Sequence, residues 1–246
     1  MQVILMRSSL ASFWQETHRR SPVLATVAVA HLLLMPLELT LLAIDPRRLG
    51  GESVWLKPLR FDFSIALFVV TMAWVLSALR TEIANGFAKK IAAAMVVETL
   101  CIAVQAVRGV HSHFNVSSAF NGAVFNLMGV AILYNTYLLV RILLHFIRDR
   151  EVTLSPVMRH ATVLGLAATL LGSVVGGIMA ARMTHAGLHN GDLRIAHFIG
   201  LHGLQLLLVA GLVLERRSWS RATQQRTLTA LFVCHFTLLI AAFAGA

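Results

Sequence analysis

The sequence predicts an all-α, polytopic membrane protein, a bundle of seven transmembrane helices, and three observations carry that prediction. Of 246 residues, 57% are hydrophobic and only 13% charged, about half the charged share of a soluble domain. The mean hydropathy is +0.75. The apolar residues lie in runs of about 20, the length that crosses a hydrocarbon core as a helix. They lack the period-two alternation of barrel strands, so helices are the remaining way to satisfy the backbone in lipid. Spans are expected at roughly 22–44, 61–80, 91–110, 120–143, 159–181, 195–215 and 226–245. The connections are short, which makes residues 1–246 a single integral membrane domain.

A net charge of +10 would suggest nucleic acid in a soluble protein. Here the basic residues sit in short runs between spans, so the expected partner is the lipid bilayer and no nucleic acid. Thirteen Lys and Arg fall on the face carrying the N-terminus and loops 2–3, 4–5 and 6–7, against seven on the other, with Arg141 inside span four. The positive-inside rule then places the N-terminal segment 1–21 in the cytoplasm and the C-terminus outside. Residues Met1 to Leu10 lack an apolar core before a small-residue cleavage site and are expected to be retained. Cys101 and Cys234 lie within spans, so no disulfide framework is expected.

Span one holds His31 and Glu38, seven residues and hence about 20° apart around a helix, so they share a face; Pro36 is expected to kink it. Loop 1–2 ends in Trp55-Leu-Lys57-Pro58-Leu-Arg60-Phe61-Asp62, at the entrance to span two. The tryptophan suits a membrane interface, and Lys57, Arg60 and Asp62 are able to pair with one another or serve a ligand.

Span three is the most informative. Glu98, Cys101, Gln105, Arg108 and Ser112 recur at steps of three or four, which lays them along one stripe from mid-span to the outer end. A carboxylate near mid-span costs about 2.5–3.5 kcal/mol on insertion scales, so Glu98 must face the interior and be protonated, paired or wet. His31 and His235 are the candidate partners by depth. The alternative is a buried polar cluster that only fixes helix packing.

Span four carries Asn121, Asn126 and Asn135, with Asn121, Met128 and Asn135 on one face, as expected of interhelical glue. Asn115-Val-Ser117 matches a glycosylation acceptor, which has meaning only in a glycosylating pathway. Span five, with Gly165, Gly172, Gly176 and Gly177, is expected to be a close-packing helix. Its outer end runs into Met179, Met183, His185, His189 and Asp192, either a polar loop or a soft-metal set. In span six His197 and His202 are five residues and so about 140° apart, which prevents chelation from one helical face. His202 and Gln205 do share a face, and span seven adds Cys234 and His235.

Of eleven histidines, His111, His113, His185, His189, His197 and His202 fall at or near the outer end, with Arg108, Asn115, Lys57 and Asp62. Imidazoles ligate metal or haem iron, move protons near neutral pH, or simply hydrogen-bond. The resulting expectation is a polar, histidine-rich pocket on the outer face that binds or translocates a small polar or anionic ligand or ion. Its ligand-binding residues are Lys57, Glu98, Gln105, Arg108, Asn115 and Gln205, with Glu98 and His31 coupling protons. The first alternative is a redox protein holding a transition metal or haem through His111, His113, His197 and His202. The second is a sensory or scaffolding bundle whose polar groups satisfy each other.

Trp-x-Lys-Pro at 55–58, Arg-Gly-x-x-Ser-His-Phe-Asn at 108–115 and His-x-x-Gly-x-His at 197–202 resemble a family of uncharacterised bacterial multi-span membrane proteins. The resemblance implies a multi-pass protein of the cell inner membrane. It implies no reaction and carries no residue role. Signatures of hydrolase elbows, zinc proteases, haem attachment and phosphate loops are missing from the sequence, and span seven has no lysine for a retinal.

Overall fold

The computed structural model describes residues 10–149, 151–185 and 193–245, with side chains through 182 in the second of these segments. It is all-α apart from one two-stranded hairpin. Seven helices are long and apolar enough to cross a membrane: Pro22–Ile44, Leu56–Leu76, Thr81–Val107, Ala119–Arg148, Pro156–Arg182, Arg194–Glu215 and Arg221–Ala244. The spans read from the sequence correspond one to one, with ends that differ by ten residues at the start of span three and by five or fewer elsewhere.

The chain packs as two compact units, Met1–Asn135 and Thr136–Ala246. The first begins with α1 (Leu10–Arg20), whose Phe13 stacks on Trp74 with ring centroids 5.8 Å apart. Arg20 lies 4.0 Å over the same indole, and Trp74 Nε1 donates to Thr17. The Arg19 guanidinium donates to both Glu16 oxygens and holds that carboxyl below its usual range. Ser21 then caps α2 (Pro22–Ile44): its hydroxyl accepts from Leu24 N, and Pro22 at the first helical position sacrifices no hydrogen bond. The buried residues of α2 are Leu24, Ala25, Ala28, His31 and Glu38, one narrow stripe on an otherwise exposed, leucine-rich cylinder. Both ionisable residues of span one therefore point inward, on the face their spacing required.

After α2 a hairpin forms from β1 (Arg48–Leu49) and β2 (Glu52–Ser53). Its two-residue turn is Gly50-Gly51 at φ 57° and 86°, the left-handed geometry that matches strand twist and that only glycine adopts freely. Next come α3 (Leu56–Leu76), α4 (Thr81–Val107) and the start of α5 (Ala119–Arg148). Helix α3 starts five residues before the span boundary read from hydropathy, because Pro58 sits in its first turn, where proline is tolerated. Trp55 is buried within the protein. It is 8% exposed, packs with Val54 and Ala106, and donates from Nε1 to Asp45 at 2.8 Å.

The second unit contains the end of α5, then α6 (Pro156–His185), α7 (Arg194–Leu201), α8 (Gly203–Glu215) and α9 (Arg221–Ala244). As expected for span five, the glycines of α6 make close approaches. A Cβ on Gly172 would lie 2.5 Å from Leu201 N, and one on Gly200 would lie 2.3 Å from Gly172 Cα. Span six breaks into α7 and α8 at His202, a feature its hydropathy does not reveal. Glycine contacts of this kind let backbones pack closely where lipid offers no hydrophobic drive to association. Gly172→Ala and Gly200→Ala are each expected to destabilise the detergent-solubilised protein by ~1–3 kcal/mol. Thermal unfolding should show this as a lowered midpoint, whereas Gly177→Ala, which meets nothing within 4 Å, should leave the midpoint unchanged or higher.

Candidate functional site

The polar residues of the first unit gather where α2 and α4 end and α3 and α5 begin. Helix α4 stops in a Schellman turn: Gly109 N donates to Ala106 O and Val110 N to Gln105 O, with Gly109 at φ 69°. Arg108 is thus the C-cap of α4. Ser112, read from its spacing as a continuation of the stripe, lies instead in the loop, although it is buried. The loop bends back toward the helices through Phe114, a non-glycine at φ 57° whose ring packs on Phe125 with centroids 5.3 Å apart.

That bend brings His113 to Glu98. The imidazole Nε2 lies 3.3 Å from Glu98 Oε1, although Glu98 is nine residues, about 14 Å along the axis, before the end of α4. Glu98 is 1% exposed, and neither carboxylate oxygen has a hydrogen bond of good geometry. On the next turn of α4, Cys101 and Ile102 form a buried apolar cluster with Met128, against which Phe61 and Val97 pack. On the other side of the ring, Lys57 Nζ sits 2.9 Å and Ser112 Oγ 3.1 Å from Nδ1. A protonated Lys57 only donates, so Nδ1 accepts and the ring proton sits on Nε2, facing Glu98. Lys57, His113 and Glu98 therefore form a line from cation to buried carboxylate.

Beside this line, Arg108 Nη1 donates to Gln105 Oε1 and, at 2.6 Å, to Asn121 Oδ1. Gln105 Nε2 also donates to Asn121 Oδ1 at 3.1 Å. The guanidinium lies 4.5 Å over the Phe120 ring. These partners are all neutral, so they orient the guanidinium without cancelling its charge. Asn115 serves the loop itself: it donates to His111 O and accepts from the Ser117 amide and hydroxyl.

A third group lies on α2 and α3. His31 Nδ1 is 2.8 Å from Asp62 Oδ1, and the Glu38 carboxyl lies against that of Asp62. This corrects two expectations. Asp62 sits within α3 rather than at its entrance and meets His31, while Arg60 faces Glu52. Glu98 finds its partner in His113, not in His31, which Asp62 occupies. His235 belongs to the second unit, where it engages the Ile199 backbone and abuts Gly203.

Of the expected ligand-binding residues, Lys57 and Glu98 meet through His113, and Gln105 and Arg108 meet through Asn121. Gln205 lies in the second unit, half-buried, with no partner for Oε1. Of the expected metal ligands, His111 is exposed in the loop and His113 is engaged as described. In the second unit His197 Nδ1 is 2.8 Å from Gly172 O and His202 Nδ1 is 2.9 Å from Phe198 O, so the two serve separate carbonyls. Among the described residues no three or more His, Cys, Asp or Glu side chains are placed to hold a metal ion. His189 and Asp192, and the side chains of Met183 and His185, lie outside the described residues. Two surface grooves, of about 460 Å³ beside Trp14 and Val29 and about 310 Å³ beside Arg159 and Gln225, are lined by none of the residues of these clusters.

Compared with known proteins, the chain matches no family model, no curated protein and no solved structure.

The hairpin is tied to this end of the unit by Asp45. Its carboxylate accepts from Arg47 and from Trp55 Nε1, while Arg47 Nη1 donates to Val107 O at 2.7 Å, a cation on the C-terminal carbonyls of α4. The Arg47 bonds, then the Trp55 bond, hold the Asp45 carboxyl well below the usual carboxylate range. A depressed folded-state pKa contributes stability that is complete above the unfolded value and lost as pH falls below about 4. The fluorescence contribution of Trp55, taken as the difference from Trp55→Phe, should therefore change on acidification below that point. In Asp45→Asn the acid-dependent change should be absent.

Proposed function

We propose that this chain is a multi-pass protein of the bacterial inner membrane, with its N-terminus in the cytoplasm, that binds or translocates a small polar or anionic ligand. In this reading the loops 45–55 and 109–118 face outward, and the ligand meets the Arg108 guanidinium and the Lys57 ammonium. The orientation rests on the Lys and Arg asymmetry of the loops. The single observation that carries the binding reading is the buried Glu98 carboxylate, met by His113 and then Lys57 rather than by a full set of hydrogen bonds. A structural carboxylate in an apolar span normally has its oxygens satisfied, because an unpaired buried charge is costly. One left with a histidine at 3.3 Å is arranged to exchange a proton.

The proposed mechanism is electrostatic. An anion arriving at Arg108 and Lys57 draws the ammonium away from His113 Nδ1, Nδ1 takes up a proton from water in its place, and the resulting imidazolium passes its Nε2 proton to the Glu98 carboxylate. Binding is thereby linked to protonation, and by reciprocity pH alters affinity. The Gln105–Asn121 pair keeps the guanidinium aimed while leaving its charge available.

The test is a thermal-shift panel of small carboxylates, phosphates and sulfate on purified protein at two pH values. At least one anion should raise the unfolding midpoint. Arg108→Ala should weaken that anion's binding about tenfold or more, the loss expected for a charge-assisted contact. Glu98→Gln should retain binding but remove its pH dependence. A panel without a hit, or a hit that survives Arg108→Ala unchanged, contradicts the reading.

A further inference from the structure

The His31–Asp62–Glu38 group takes no part in the site above. His31 is 3% exposed, Asp62 1% and Glu38 6%, so all three are withdrawn from solvent inside helices that span an apolar layer. Asp62 Oδ1 is matched to His31 Nδ1 at 2.8 Å. The other Asp62 oxygen, Oδ2, and the Glu38 oxygen Oε2 are both buried with no partner, yet the two carboxyls lie against each other. A carboxylate is only an acceptor, and two carboxylates in contact repel. A single proton shared by the pair removes both problems, since it converts one acceptor into a donor and relieves the repulsion.

Other charged groups at this end of the unit have their own partners. Asp45 binds Arg47, Arg60 faces Glu52, Lys57 and Glu98 flank His113, and Arg108 binds Gln105 and Asn121. His31 is the cation that meets the pair, through Asp62 Oδ1. We propose that Glu38 and Asp62 form a membrane-embedded proton-binding site, a carboxylic acid–carboxylate pair that holds one proton at neutral pH and is closed on its far side by His31. The ligand of this site is the proton itself. The pair is balanced by one imidazolium when His31 is charged. When His31 is neutral it carries a single negative charge, satisfied by the Glu38 hydroxyl and the His31 ring N–H. The site stands independently of any ligand at Arg108.

Infrared spectroscopy of the full chain in lipid nanodiscs at neutral pH tests this. The E98Q protein, in which the buried Glu98 carboxyl is removed, should show a carboxylic-acid carbonyl band that moves down in D₂O. That band should be lost in E98Q/E38Q. Labelling the side-chain carboxyls of Glu and Asp with carbon-13 separates it from lipid esters, and does so even where the double variant does not fold. Loss of the band with E38Q, or its displacement by either label in E98Q alone, supports the site. A missing band in E98Q, a band insensitive to both labels, or one unchanged in E98Q/E38Q overturns it. A failed anion panel leaves this band in place, so the two readings fail separately.

Discussion

The contact between His113 and Glu98 organises the first unit. A carboxylate nine residues inside an apolar helix must be met from within the protein, because neither lipid nor the neighbouring apolar side chains offer a donor. The donor comes from a loop, not from another helix. For an imidazole to descend that far the chain must reverse at once after α4, which the left-handed Gly109 achieves, and reverse again at Phe114, whose backbone strain is offset by the packing of its ring on Phe125. The position of Lys57 follows from the same demand: with the ring proton committed to Glu98, the opposite nitrogen needs a donor, and the first turn of α3 supplies one.

The surrounding parts hold that loop in place. Arg47 covers the carbonyl end of α4 beside Gly109, where a Cβ would come within 3.3 Å of its guanidinium. Asp45 orients Arg47 and fixes Trp55, and Trp55 packs on Ala106 of α4. Gln105 and Asn121 connect α4 to the start of α5 directly above the Glu98 level. The tight hairpin, the capped helix end and the amide pair together limit the freedom of loop 109–118.

Much of this was legible in the sequence, and what was not has physical reasons. Helix period placed Glu98, Cys101 and Gln105 on one buried stripe and His31 and Glu38 on another, since those positions depend only on the geometry of a helix. It also put Asn121, Met128 and Asn135 on one face, and all three are buried. Hydropathy misplaced the start of α3, because Lys57-Pro58 reads as loop while proline is at home in a first helical turn; Asp62 was consequently assigned to the entrance and its pairing with His31 was missed. The descent of His113 depends on two left-handed residues in a loop, which have no periodicity to read. The residue type of Trp55 suggests an interface, but its packing on Ala106 and its bond to Asp45, ten residues earlier, leave no trace in hydropathy. The break of span six at His202 lies between Gly200 and Gly203, a local conformation that apolar composition conceals.

The protonation state of His113 is the most direct measure of this arrangement. Nitrogen-15 NMR of histidine-labelled protein in lipid, with the His113 signals assigned by their loss in His113→Gln, distinguishes the two neutral tautomers from the imidazolium. A neutral ring carrying its proton on Nε2, with Nδ1 accepting, is the expected result at neutral pH, and Lys57→Met should alter the Nδ1 signal most. A ring protonated on Nδ1 alone, or signals untouched by both Lys57→Met and Glu98→Gln, would contradict the line from Lys57 through His113 to Glu98.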